Sequence, residues 1–237
     1  MSAAPVAIVA GTGGAGTAVA LALSAAGHHV VLLDSRVEAA ESAREAVVSV
    51  GGSAEAHGID LLDAEAVTAL RSDLLARTGR IDVLVHLVGG WRGTKTLELA
   101  SVDNWLTLNP PIVGTLAVLT AVFAGDIRQS DSGRIFMVTS TAAATPTAGN
   151  IAYAAAKSAA EAWMGGVAHF LRDSHAASVV VAVKALLTDQ MVAAEPDKEW
   201  PGYTHVRVLG SAIAGACTAS PGNGSRMDLT TGEYSAS

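Results

Sequence analysis

The sequence predicts an α/β fold, one doubly wound parallel sheet with helices on both faces. Three observations predict it. Apolar runs of strand length recur roughly every thirty residues, and each is followed by a helical pattern, as in repeated βα units. The runs are continuously apolar instead of alternating, as strands covered on both faces require. Half of the 237 residues are hydrophobic, yet only 4% are aromatic and 24 are glycine, a composition suited to close helix–sheet packing.

Each element follows from local signals. Val6–Ala10 reads as a buried strand that runs into a glycine turn. Residues 17–26 read as a helix stopped by Gly27. Residues 29–33 form a second strand that ends at Asp34, and 37–49 a second helix. A weak third strand covers 54–58. Asp63 caps a helix that reaches about Thr78. A fourth strand spans 81–87. Ser101 caps a short helix that Pro110-Pro111 stops. Residues 112–128 form a long apolar helix, and 134–138 a fifth strand. An Ala-rich helix covers 151–175 and a sixth strand 178–183. Residues 189–203 read as irregular with two prolines, 206–218 as helical, and 226–229 as a last strand. No linker or repeat interrupts the pattern. The reading is a single domain over 1–237, with about seven strands in the order 3-2-1-4-5-6-7 and substrate loops near 89–103 and 185–205.

Composition narrows the function. Charged residues make up 16% of the chain, below the usual quarter. The net charge is −7 and no block of Lys or Arg occurs, which argues against a nucleic-acid surface. One cysteine excludes a disulfide framework and a Cys-based zinc site, and no metal is expected. Two uncharged stretches, 1–33 and 104–125, pass a first glance as membrane segments. The first is broken by glycines and by His28-His29 and lacks a basic start. The second is flanked by Asp103 and Asp126 and reads as a buried helix at a subunit contact. A soluble, cytoplasmic protein is the expectation, with no membrane partner.

In a doubly wound sheet the ligand crevice lies beyond the carboxyl ends of the strands. Three groups of residues stand there. Gly11-Thr12-Gly13-Gly14-Ala15-Gly16 joins the first strand to the first helix. Glycine permits the tight turn and lets backbone N–H groups approach a pyrophosphate at a helix N-terminus. Asp34, 18 residues past Gly16, can accept hydrogen bonds from an adenosine ribose and repels a 2′-phosphate. That favours NAD(H), while nearby Arg36 keeps NADP(H) open. Ser140, Tyr153 and Lys157 form the third group. Tyr153 and Lys157 are four apart on one helix face. A lysine beside a phenol is expected to lower its pKa and make it an acid or base near neutral pH.

With these residues in view, the chain resembles the short-chain dehydrogenase/reductases over essentially its whole length. The resemblance rests on the glycine turn at 11–16, Asp34, Asp60-Leu61, Val88-Gly89-Gly90, and Ser140 with Tyr153-Ala154-Ala155-Ala156-Lys157. Short segments resemble the dihydropteridine-reductase-like branch: 88–93, 187–191 through Pro196-Asp197 to Trp200, and Leu229-Thr230-Thr231-Gly232. The family resemblance implies a Rossmann-type domain and roles for its residues. Tyr153 exchanges a proton with the substrate oxygen, which Ser140 orients. Lys157 holds the nicotinamide ribose. Asp60 bonds the adenine amine, with Leu61 beside the ring. Gly89 passes the adenosine ribose, and Thr188 reaches the carboxamide.

Departures from the family pattern are equally plain. The glycine turn is one residue short. His86 stands where the family has an asparagine, and reads as a core histidine. The family's relay asparagine falls near Pro111. Asn109 lies two residues early, and either serves that relay or caps a helix with Pro110 at its first position. Lys184-Ala185 replaces a Pro-Gly pair. Trp91, Trp200 and Tyr203 fall where flat rings can stack a planar substrate. The functional expectation is an NAD(P)(H)-dependent oxidoreductase acting on a small carbonyl or alcohol. A non-catalytic dinucleotide-binding sensor or scaffold, and a cofactor-retaining isomerase or dehydratase, are the alternatives. Helices at 112–128 and 152–173 carry more apolar surface than one sheet face covers. A homo-oligomer, dimer or tetramer, is therefore expected.

Overall fold

The computed structural model describes residues 4–230. Nine strands occur in chain order: β1 (Val6–Ala10), β2 (His29–Asp34), β3 (Ser53–Gly58), β4 (Val83–His86), β5 (Arg134–Ser140), β6 (Ala177–Val183), β7 (Ala185–Leu187), β8 (Tyr203–His205) and β9 (Ser225–Asp228). Seven of them form a parallel sheet in the order β3-β2-β1-β4-β5-β6-β9. This is the expected order, with β9 as the seventh strand. The extra pair, β7 and β8, is a small parallel ribbon outside the sheet, with Ala185 opposite Tyr203. It brings the two ends of the 185–205 segment together.

Helices α1 (Gly14–Ala25), α2 (Val37–Ser49) and α8 (Val206–Ala219) cover one face of the sheet. Helices α3 (Ala64–Thr78), α4 (Leu99–Asn109), α5 (Thr115–Gln129) and α6 (Ile151–Leu171) cover the other. Along β1, Ala7 and Val9 pack with Val19, Leu23 and Leu209. Val6, Ile8 and Ala10 pack with the opposite layer, which includes Leu116, Phe123 and Met164. Side chains alternate between faces along a strand. Both faces are covered, so every position is apolar and the alternation vanishes from the sequence.

Several boundaries depart from expectation, each for a local reason. Asp63 caps α3 as expected, accepting the Glu65 and Ala66 N–H groups at 3.0 Å. Ser101 does not cap α4. It lies inside the first turn and its hydroxyl accepts the Glu98 N–H at 3.3 Å. Pro110-Pro111 does not stop the helix either. The chain continues through a π-helical turn, Pro110–Gly114, into α5. The wider turn accommodates the rings, and the Thr115 hydroxyl donates to the Pro111 carbonyl at 2.7 Å. Residues 99–129 thus form one helix that is long and apolar enough to cross a membrane by length and composition. Its α5 part instead buries Leu116, Leu119, Phe123 and Ile127 against the sheet.

Helix α6 ends at Leu171, four residues before the expected limit, where Ser174 turns the chain by donating its hydroxyl to the Leu171 carbonyl. The segment read as irregular contains a short helix, α7 (Asp189–Ala194), capped by Thr188. Of the terminal stretch 229–232, Thr231 and Gly232 lie outside the described residues.

Candidate active site

The strand order reverses between β1 and β4, which places a crevice above their carboxyl ends. The glycine turn fills the floor of that crevice. Gly11 has φ +90°, and a Cβ there would stand 2.9 Å from the Leu87 and Val88 backbone. A Cβ on Gly16 would stand 2.1 Å from the Gly11 carbonyl oxygen. These two positions admit only glycine, because β1, β4 and the start of α1 meet there. Helix α1 begins at Gly14, with Gly13 as its uncapped first residue. Its free N–H groups and Ala15 face a hollow of about 440 Å³ that Asp34, Arg36 and Gly89 also line.

Asp34 is buried at the end of β2 and tied to this turn. Its Oδ2 accepts the Thr12 N–H at 2.9 Å and the Thr12 hydroxyl at 3.0 Å. Its Oδ1 accepts the Arg36 N–H at 3.1 Å and faces the Arg36 guanidinium at 3.4 Å. Burial opposes its ionisation, but these hydrogen bonds outweigh that and hold the carboxyl below its ordinary range. Thr12 therefore connects the turn to the carboxylate, a link invisible in the motif itself. Next to it, Asp60, Leu61, Val88, Pro111 and Thr115 surround a smaller hollow of about 210 Å³.

The reaction end is assembled from distant segments. Ser140 ends β5, and Tyr153 and Lys157 lie one turn apart on α6. All three line one cavity of about 800 Å³, along with Gly89, Gly90, Trp91 and Tyr203. This cavity and the glycine-turn hollow share Ala15, Leu87, Val88 and Gly89. Ser140 accepts the Ala142 N–H at 3.3 Å and donates to the Lys184 carbonyl at 3.4 Å. The Lys157 ammonium donates to the Val138 carbonyl at 2.8 Å and sits 5.9 Å from the centre of the Tyr153 ring. Burial pulls its pKa down to about 8, with Glu161 working in the opposite direction. The expected lowering of the Tyr153 pKa is not found. Burial raises it, and a hydrogen bond with Ser140 only partly offsets this. The cause is burial of the phenol, while the Lys157 amine is committed to the Val138 carbonyl.

The remaining candidates divide. Trp91 and Tyr203 wall the cavity. Trp200 does not reach it; its ring packs edge-on against Tyr203 at 5.1 Å, with Lys198 over its other side at 4.1 Å. Thr188 caps α7 by accepting the Met191 N–H at 3.2 Å, and its methyl group lies against Gly14. Asn109 sits in mid-helix at φ −62°, ψ −46° with no capping bond. It is not among the residues lining the cavity. The π turn keeps the helix continuous through the prolines, so Asn109 caps nothing. His86 is buried and shares a 2.8 Å hydrogen bond with the Thr115 hydroxyl. Burial, then the Lys157 charge, push its pKa down to about 3, so it is neutral.

Sequence reasoning missed the support beneath Lys157. Glu161, one turn further along α6, accepts the Thr139 hydroxyl at 2.6 Å and the Arg226 guanidinium at 2.9 Å. The only signal was its spacing of four from Lys157. Hydroxyls at Thr139, Thr141, Thr145 and Thr147 also line the cavity.

This arrangement matches known proteins. Residues 5–199 match the family model for short chain dehydrogenase. The chain is 28% identical over 210 residues to 7alpha-hydroxysteroid dehydrogenase of Escherichia coli K12, covering 86% of this chain and 81% of that one. A metagenomic short-chain oxidoreductase solved with NADP superimposes with a TM-score of 0.79 at 26% identity, over 96% of this chain and 97% of its own. The fold is also that of an NAD⁺-bound xylitol dehydrogenase, with a TM-score of 0.80 at 21% identity, over 95% and 97% of the two chains. The sheet order, the glycine turn and the family match agree: this chain belongs to the short-chain dehydrogenase/reductase family of oxidoreductases.

Proposed function

We propose that the protein moves hydride between NAD(H) and a carbonyl or secondary alcohol, with Tyr153 as the proton donor and acceptor. The carrying observation is the convergence of Ser140, Tyr153 and Lys157 on one cavity that joins the glycine-turn hollow. The residues present fit a nicotinamide dinucleotide. Gly13 lines the glycine-turn hollow, and a Cβ there would meet nothing within 4 Å, so the backbone is open to a ligand. The first turn of α1 would hold the pyrophosphate, Asp34 the adenosine ribose, and Asp60 with Leu61 and Val88 the adenine. Lys157 would hold the nicotinamide ribose, and Thr188 keeps an O–H to offer the carboxamide. When bound, the cofactor supplies or accepts the hydride.

The chain's own residues do the rest. In reduction, the carbonyl carbon gains hydride, its π pair moves to oxygen, and that oxygen takes the Tyr153 proton. The raised pKa keeps the phenol protonated at neutral pH, the state a reductase needs. Ser140 orients the substrate oxygen. Trp91 and Tyr203 narrow the mouth against water. NAD(H) is favoured over NADP(H), because the Asp34 carboxylate is ionised and Arg36 is already engaged with it. Turnover of a broad carbonyl and alcohol panel with NADH or NAD⁺ tests this reading. Intact NADH binding without turnover of any member contradicts it.

The same reading includes self-association. Helices α5 and α6 present an apolar groove lined by Ala121, Gly125, Trp163, Gly166 and Phe170. Trp163 and Phe170 are 44% and 47% exposed there, and small residues let a second helix pair approach closely. Light scattering should give a dimer or tetramer; a monomer removes this part of the reading.

A further inference from the structure

The cavity that holds Ser140 and Tyr153 has an asymmetric charge. Two lysines line it, Lys157 and Lys184, and no carboxylate does among the described residues. Lys157 is buried and committed to the Val138 carbonyl. Lys184 is exposed, and among the described residues its ammonium hydrogen-bonds only the Pro201 carbonyl, at 2.9 Å. Its own carbonyl accepts the Ser140 hydroxyl, so this cation branches from the edge of the reaction centre. Gly202, at φ +75°, gives the lysine stem its path; a Cβ there would stand 3.0 Å from Lys184 Cδ.

The segments beside the cavity carry both signs. Arg92 and Lys95, on the loop that carries Trp91, are exposed and have no ion-pair partner among the described residues. Glu98 on the same loop, and Asp197 and Glu199 on the segment 195–200, are exposed carboxylates that also lack an ion-pair partner among the described residues, while Asp189 pairs with Arg207 at 2.8 Å and Glu195 with Lys198 at 2.9 Å. The lining of this opening itself carries two lysines and, among the described residues, no carboxylate, in a chain whose net charge is −7. Such an opening attracts and orients anions.

We propose that the substrate carries an anionic group, carboxylate or phosphate, and that the Lys184 ammonium binds it. This rests on the hydride-transfer reading above and adds the substrate class. A lysine acts as a point charge for either group through a charge-assisted hydrogen bond.

The test compares charged and neutral partners on the NADH-loaded protein. One pair is 4-oxopentanoate and its methyl ester; the other is dihydroxyacetone phosphate and dihydroxyacetone. Both kcat/KM and binding, read by quenching of tryptophan fluorescence, are measured. The charged member of at least one pair should be favoured by about tenfold or more, and which pair responds separates carboxylate from phosphate. Lys184→Gln should bring that ratio close to one, and Lys184→Arg should keep it. Equal partners in both pairs, no binding by any of the four, or a ratio that survives Lys184→Gln would overturn the inference. Charge-selective binding through Lys184 without turnover keeps this inference and removes the hydride-transfer reading. Turnover without charge selectivity does the reverse.

Discussion

The proposed dinucleotide end, at the glycine turn, and the proposed reaction end, at Ser140 and Tyr153, are built on different principles. At the dinucleotide end the backbone does the shaping. Gly11 and Gly16 permit contacts that no other residue allows, and Thr12 locks Asp34 to the turn within 22 residues of chain. At the reaction end side chains do the shaping, and they arrive from far apart. Ser140 ends β5, Tyr153 lies on α6, Trp91 follows β4 and Tyr203 starts β8, and all four line one cavity. A local device is rigid and tolerates little substitution. An assembled one is exposed at its rim and free to vary with the substrate.

Tyr153→Phe should break the comparison at its most sensitive point. Removing the acid should lower kcat by about 10² to 10⁴, while NADH binding, set at the other end, stays in place. Steady-state kinetics beside a binding titration would check both halves. Gly16→Ala should do the converse. Its new Cβ meets the Gly11 carbonyl at 2.1 Å, so we expect a loss of about 1–3 kcal/mol in stability and roughly tenfold or greater weakening of NADH binding. Calorimetry and fluorescence titration read these.

Smaller effects sharpen the same contrast. Asp34→Ser removes the carboxylate that faces the ribose, and should move the NADH-to-NADPH preference toward NADPH by about tenfold. Its turnover number at saturation should change little, because the reaction end is untouched. Lys157 links the two ends, and pH probes it. With a pKa of about 8, its charge is present below that pH and lost above it. NADH affinity should therefore fall as pH rises through about 8, and Lys157→Met should flatten the profile. The smallest effect concerns the wall between the ends. Thr115→Val leaves the buried His86 Nε2 without its 2.8 Å partner. That should cost about 1–3 kcal/mol, a fall of several degrees in Tm.

The same contrast explains what was legible in the sequence. The sheet, its order and the cofactor turn were readable because their signals are local: continuous apolar runs, a glycine spacing and a carboxylate at a strand end. Ser140, Tyr153 and Lys157 were readable because helix periodicity puts the last two on one face. The path of helix 99–129 was not. Two prolines predict a stop, and only the packing of α5 on the sheet shows why a π turn is the better solution. That turn is also why Asn109 caps no helix. The rise of the Tyr153 pKa was not legible, because spacing places Lys157 on the right face without showing how far the phenol is buried. Trp200 was placed in the pocket by sequence position, yet it stands behind Tyr203. Tertiary direction, not residue type, decided each of these.

The most direct test of the central claim is isotopic. The protein would be incubated with deuterated NADH, labelled in turn on each face of the nicotinamide C4, and a panel of oxo acids and neutral ketones. Deuterium at the carbinol carbon of a product alcohol, from one label only and lost in Tyr153→Phe, is the predicted result. A protein that binds NADH yet leaves every carbonyl unlabelled, or a Tyr153→Phe variant that labels as well as the parent, would contradict it.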